Sequence, residues 1–532
     1  MKTRKIAALL IVAVFLFAFV AACGSDDSPP VTTDPTAPIV EDPGTPNTSD
    51  PTPPPPPVAD EDLVELIWQW PNPGNIGPGF QDVEDAFNEM LREIGVKVHL
   101  EPVGLIEAQA DAMRRVAAGE QIDIMLTAFS PIGPLVDAGL ILPLDDLIDT
   151  YGRDIKEQAG PGLMGSYYAG SLYGLPPVFK NSEAYGYAMR KDIIDKYGIT
   201  IDLNKVYTLD DLEEIFAIVK EGEGDNFYMT IPWNSEPPPL NGALQPYDRL
   251  AGNFAGGVLM LNRSFSDLTI HNFFATEEYA DYAQRMYNWA QRGYLSPDAA
   301  ITSEFPDTLL RGGNYLGMFY WADPSSMFEI DTKGFEFYLV STVPAFVPHD
   351  GGNAVDWNIP VTSVNPAKAV EAVNYIYKNH AATWLIQFGL EGVTHEVLQR
   401  GADGRPVLIK YLADDPDTLP YFQPYGLYGN RLEWPAMDPS PVELNQMFKD
   451  FENAIPASRN SPALGYSFVA TDVAAEIAAV NAVIEQYTPS FNGGAVNPSS
   501  MLPEFIRALE GAGIDRIIAE NQRQLDAWAA SR

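Results

Sequence analysis

DLVELIWQW (residues 62–70), QDVEDAFNEMLREIG (81–95), VKVHLEPV (96–103), GLIEAQADAMRRVAAGE (104–120) and QIDIMLTAF (121–129) follow one another almost without a gap. The first run is apolar and aromatic and stops at Pro71, as a buried strand does. In the second, Val83, Ala86, Phe87, Met90, Leu91 and Ile94 recur at helical spacing and Gly95 supplies the C-terminal cap. The third alternates apolar and polar as a half-buried strand, the fourth is a second helix, and the fifth a second buried strand. Strand, helix, strand, helix, strand at this spacing builds right-handed crossovers, and so a parallel sheet covered by helices. Ligands of such sheets bind beyond the carboxyl ends of the strands, here Trp70 to Asn72 and Phe129 to Ser130.

Downstream, a second α/β segment follows SLYGLPPVFKN (171–181). EAYGYAMR (183–190) reads as a strand, KDIIDKYG and TLDDLEEIFAIVKEG as helices, and NFYMTIPW and NYLGMFYW as strands ending on Trp233 and Trp321. WNIPVTS (357–363) is strand-like, and a helix begins after Asn365-Pro366, with the proline in its first turn. The C-terminal stretch is helical with a break at Gly511 to Gly513. About 470 residues are too many for one ordinary domain, so two lobes are expected.

Upstream, Lys2, Arg4 and Lys5 precede an apolar run from Ile6 to Ala22, the order of an export signal. Cys23, the only cysteine, cannot form an internal disulfide. Val20-Ala21-Ala22-Cys23-Gly24 looks like a bacterial lipobox, in which the signal, 1–22, is removed and the thiol acylated. An ordinary signal cleaved after Ala22 is the alternative. Two or more acyl chains hold a protein stably at a membrane face. Residues 24–62 contain no lysine, arginine or aromatic side chain and are rich in proline and acids. They are read, with Cys23, as a disordered linker over 23–61. A net charge of −39 argues against nucleic acid and anionic lipid headgroups as partners.

The lipobox, the acidic spacer and SLYGLPPV resemble the extracellular solute-binding lipoproteins of bacterial ABC importers. FGLEGVTHEVL (388–398), SPALGYSF (461–468), EIAAVNAVIEQY (476–487) and GAVNPSSMLPEFIRALEGAGIDRIIAENQRQLDAW (494–528) resemble the LipO-like subgroup. The resemblance implies an α/β, two-lobed type II periplasmic-binding-protein fold with discontinuous lobes and an interlobe cleft. By that template, 62–177 with 341–385 form one lobe and 178–340 with 386–532 the other. It further implies a monomer, lipid-anchored at the extracellular face of the cytoplasmic membrane, that captures a small solute, a carbohydrate or oligosaccharide, for an ABC permease without a cofactor.

Sugar recognition needs aromatic faces for the C–H side of a pyranose and planar polar groups for its hydroxyls. Trp70, Phe129, Phe179, Trp233, Trp321 and Trp357 stand at or just past predicted strands, each beside a polar residue: Asn72, Ser130, Lys180, Asn234, Asp323, Asp356 or Asn358. Trp321 in GMFYWADP, then Trp357, are the leading candidates. Asp323 and Asp356 can accept from hydroxyls or serve as turn caps. Lys180 reads as a solvated loop lysine, with an acidic ligand as its alternative.

Of the five histidines none stands three or four residues from another, so no zinc pattern is present. Nucleophile-elbow, P-loop and dinucleotide-binding motifs are missing as well. The pairs Asp145-Asp146 and Glu213-Glu214 are helix neighbours that do not face each other. A secreted glycoside-active enzyme and a ligand sensor for a membrane kinase are the alternative functions.

Overall fold

The computed structural model describes residues 62–72, 77–105, 107–128, 132–231, 246–251, 253–302, 304, 306–326, 335–352 and 355–532. Val64–Pro71 runs parallel to Val96–Val103 in unbroken register. On its other side the Gln69 amide donates to the Ile124 carbonyl at 2.9 Å, which carries the sheet on to Met125–Ala128. Helices Phe80–Leu91 and Ala108–Ala117 make the two crossovers, burying Val83, Phe87 and Leu91 from the first and Ala108, Ala112 and Val116 from the second. Gly95, at φ 69°, ends the first crossover where a side chain would be strained. Val355–Asn358 then adds antiparallel to Met125–Ala128, so a strand from far along the chain completes this sheet.

A second sheet is built around Glu183–Arg190, with Phe337–Phe346 and Tyr315–Trp321 antiparallel on either side and Tyr228–Thr230 parallel to the latter. The strands approach so closely that a Cβ on Gly317 would lie 1.9 Å from the Ala188 carbonyl oxygen. Helix Leu209–Glu223 starts in a capping box between Thr208 and Asp211. The C-terminal helices Ala474–Asn492, Pro498–Ala512 and Ile514–Ala530 pack on the same half, the last two separated by Gly513 at φ 102°. Helix Pro366–Lys378 starts where Asn365 and Pro366 predict it, with Asn365 Oδ1 accepting from the Lys368 amide at 3.2 Å.

Among the described residues, the two largest hydrophobic cores fall one in each half. One gathers Trp68, Trp70, Phe87, Val355, Trp357, Val373 and Ile386; the other Tyr187, Phe216, Phe319, Phe346, Phe505 and Leu525. Their membership departs from the expected segments at two points. Residues 341–346 stay with the second half, because Phe337–Phe346 is bonded along Glu183–Arg190 up to the Phe346↔Glu183 pair. Residues beyond 385 do not pass at once to the second half: Tyr421 and Tyr428 belong to the first core, and Gln423 Nε2 donates to the Pro71 carbonyl at 2.8 Å. At the carboxyl end of the strand Val64–Pro71, Tyr428 stacks on the buried indole of Trp70, with ring centroids 4.4 Å apart. The chain therefore crosses between the cores around 179–183, 347–352 and 429–461.

Candidate functional site

The first crossing segment is bonded on both sides. Val178 pairs with the loop before 431 through its amide to the Gly429 carbonyl (2.9 Å) and its carbonyl to the Arg431 amide (2.8 Å). Phe179 follows, with the Arg431 guanidinium 3.7 Å above its ring centre and the Phe448 ring at 5.0 Å. The Lys180 ammonium donates to Asp323 Oδ2 at 2.7 Å. The Asn181 amide (3.2 Å) and the Ser182 hydroxyl (2.6 Å) donate to the Glu452 carboxylate. Burial pushes the Glu452 carboxyl above its usual range despite those donors.

Asp323 comes two residues past the end of strand Tyr315–Trp321 and is 5% exposed. Its Oδ1 accepts from the amides of Ser325 and Ser326, both at 3.1 Å, and from their hydroxyls at 2.8 and 3.0 Å. Burial alone would raise this carboxyl; the Lys180 ammonium and the serine donors outweigh it and hold the group below its ordinary value. Trp321 is partly exposed and edge-on to Tyr320, with centroids 5.3 Å apart. Its register partner Tyr185 is buried and donates to Glu183 at 2.7 Å. A half-buried tryptophan thus ends the strand two residues before a fixed set of charged and hydroxyl groups. Such an arrangement suits capture by stacking and hydrogen bonding.

Residues 83–403 match the model of the bacterial extracellular solute-binding protein family, which is more than half of the chain. The chain belongs to that family. Residues 462–530 match, in addition, a domain of unknown function. A carbohydrate ABC transporter substrate-binding protein of Streptococcus pneumoniae is 21% identical over 484 residues, covering 89% of this chain and 92% of the relative. Among solved structures, the N-glycan transport solute-binding protein NgtS of S. pneumoniae aligns with a TM-score of 0.72 at 18% identity, covering 88% of this chain and 99% of that one. An HMO-binding, ABC-transporter-associated solute-binding protein of Bifidobacterium longum infantis gives 0.62 at 16% identity, covering 88% and 100%. This solute-binding protein therefore has the two-lobed type II fold that SLYGLPPV and the C-terminal motifs imply.

The predicted site residues separate into three groups. Asp323 is brought to Lys180, the neighbour of Phe179, and Trp321 stands two residues before Asp323; Lys180 is bound to Asp323 and so is not the solvated lysine its sequence suggests. Trp70 and Trp357 are fully buried and belong to the first core, where Trp68 meets both edge-on and Tyr428 packs on both; neither presents a ring face to a ligand. Trp357 Nε1 is taken by the Leu427 carbonyl at 2.9 Å. Asn72 is also buried, its amide donating to the Val103 carbonyl at 2.8 Å, and Asp356 accepts from Ser166 Oγ at 2.5 Å in a pocket of its own lobe. Phe129, Ser130 and Trp233 lie outside the described residues, as do Asn234, Cys23, the signal and the linker.

Glu452, Arg431 and Ser182 were not legible as site residues. Each acts on the crossing segment from a distant part of the chain or without a motif of its own. Among the described residues there is no cluster of three or more histidine, cysteine, aspartate and glutamate side chains fit to hold a metal, and no helix long and apolar enough to cross a membrane.

Proposed function

We propose that this solute-binding protein captures an oligosaccharide between its lobes and delivers it to an ABC permease, tethered to the extracellular membrane face through a lipid on Cys23. The observation that carries the solute class is Trp321, the leading candidate that is only half-buried, two residues before the Asp323 that holds Lys180. A partly exposed indole takes the C–H face of a sugar, while carboxylate and hydroxyl groups bond its rim. The names of the relatives, a carbohydrate transporter component and an N-glycan transport protein, support the same class. Transport by this fold needs a hinge motion and no covalent chemistry.

Calorimetric titration and thermal shift with a mannose–N-acetylglucosamine oligosaccharide and other neutral oligosaccharides test it. Saturable binding that raises Tm is the expected result; a flat response across sugars, with a response to peptides, overturns it. For the anchor, the mature protein should carry acyl mass on its N-terminal peptide, and Cys23→Ala should release it from the membrane fraction.

A further inference from the structure

Residues 462–530 match a domain to which no function is attached, yet their contacts reach both lobes and the crossing between them. Val473, Val480, Phe491, Phe505, Ile517 and Leu525 complete the second core. The segment is bonded to the crossing at 347–349: Ser461 N donates to the Val347 carbonyl at 2.7 Å, and Gly465 N to the His349 carbonyl at 2.8 Å. It then passes over the first lobe. A Cβ on Gly465, at φ 86°, would stand 3.3 Å from Met164 Sδ, and the Thr471 hydroxyl donates to Asp137 Oδ2 at 2.5 Å. Asp137 ends helix Gly133–Asp137 of the first lobe, just beyond its third strand. Its carboxylate also accepts from the buried Tyr168 hydroxyl at 3.2 and 3.3 Å.

We propose that this C-terminal segment is an interlobe brace, in which Thr471 latches onto Asp137 and thereby sets the balance between arrangements of the two lobes. Chain connectivity does not impose the contact, since its partners are 334 residues apart and Thr471 lies ten residues past the last crossing's end at Ser461. Tyr168 anchors the acceptor on its own lobe, so the carboxylate is offered across the gap in a fixed orientation. A hydrogen bond to a charged acceptor is among the stronger kinds, and this one is made between exposed residues that can part without opening either core. Thr471 and Asp137 are positioning residues and need not touch the solute.

Hydrogen–deuterium exchange on the full chain without any ligand tests the brace independently of the sugar reading. Thr471→Val and Asp137→Ala should each speed exchange about tenfold in 133–138, 179–182 and 347–352. Glu183–Arg190 and Val64–Pro71, inside the two sheets, should keep their protection. Adding Thr471→Val to Asp137→Ala should change little, because the acceptor of the Thr471 hydroxyl is already gone. Faster exchange confined to 469–474 would overturn the proposal, as would a uniform loss of protection with a fall in Tm. A double variant whose effect is the sum of the single ones would also overturn it.

Discussion

Lys180 Nζ lies 2.7 Å from Asp323 Oδ2, which ties the first crossing segment to the end of a strand in the second sheet. The carboxylate is almost wholly buried and the ammonium about one-fifth exposed, so the pair is only partly screened. Lys180→Met leaves Asp323 its serine donors but no countercharge, and should lower stability by about 2 kcal/mol. Asp323→Asn, which keeps an acceptor for those serines, should cost about 1 kcal/mol. Because the folded carboxyl is held below its unfolded value, its contribution is complete above about pH 4 and disappears as pH falls through the lower folded value. Urea unfolding of the native protein and Asp323→Asn should therefore give midpoints that differ at pH 7 and draw together as the pH is taken below the ordinary carboxylate range.

The second crossing carries an opposite dependence. His349 Nδ1 is 2.6 Å from Asp248 Oδ1, and the His349 amide donates to the other oxygen at 2.8 Å. Burial is the largest influence on this imidazole and works downward, as does Arg249, but the Asp248 carboxylate overrides both, with Asp350 assisting, and lifts it to about 9. A raised folded value means that the stabilisation is complete below about pH 6.5 and is lost as pH rises toward 9. Asp350, pushed up by its own burial, costs stability as pH rises above the ordinary carboxylate range, and that cost is relieved in acid. Calorimetry should show Tm falling between pH 6.5 and 9.5, with a loss on the order of 2–3 kcal/mol. His349→Gln should flatten that slope and lower Tm at pH 6.5.

Tryptophan at a strand end has two meanings that local sequence does not separate, and the contrast is measurable. Trp357→Ala removes a fully buried ring packed against Trp68 and Tyr428 and should cost about 3–5 kcal/mol, taking solute binding down with the fold. Trp321→Ala removes a partly exposed ring and should weaken oligosaccharide binding about tenfold, at a cost in stability well below that of the buried site. Titration and thermal melts of both variants side by side check this. Equal losses of stability, or unaltered affinity in Trp321→Ala, would remove Trp321 from the site.

Elements whose signal is local were legible. The pleat of VKVHLEPV, the capping asparagine before Pro366 and the glycine before Ile514 are visible in a window of a few residues, and the structure has each where the pattern puts it. The site was legible only in part, because what sorts Trp70 from Trp321 is a partner far away. Tyr428 closes over Trp70 from more than 350 residues downstream, and no periodicity in DLVELIWQW announces it. Glu452 reaches Ser182 in the same way, as does Asp323 to Lys180. The return of the chain to the first core after 385 has no local signal either, since nothing near Tyr421 or Tyr428 in the sequence marks them as its members.

SLYGLPPV suggested the family, and the structure supplies a reason for its glycine. A Cβ on Gly174 would stand 2.3 Å from Asp356 Cγ and 2.4 Å from its Oδ1, far inside contact distance. Asp356 cannot retreat easily, since it sits on the strand Val355–Asn358 that bonds to Met125–Ala128, and its carboxylate is held by Ser166. Gly174→Ala therefore forces either the 171–178 segment or the strand to shift, with a cost of about 1–3 kcal/mol from overpacking. That segment leads directly into Val178 and the first crossing, so the displacement should be felt there as well. Gly174→Ala should lower Tm by several degrees, and pairing it with Asp356→Ala, which removes the obstructing carboxylate, should restore part of the loss. A double variant less stable than Gly174→Ala would show that the crowding at this position comes from the backbone instead.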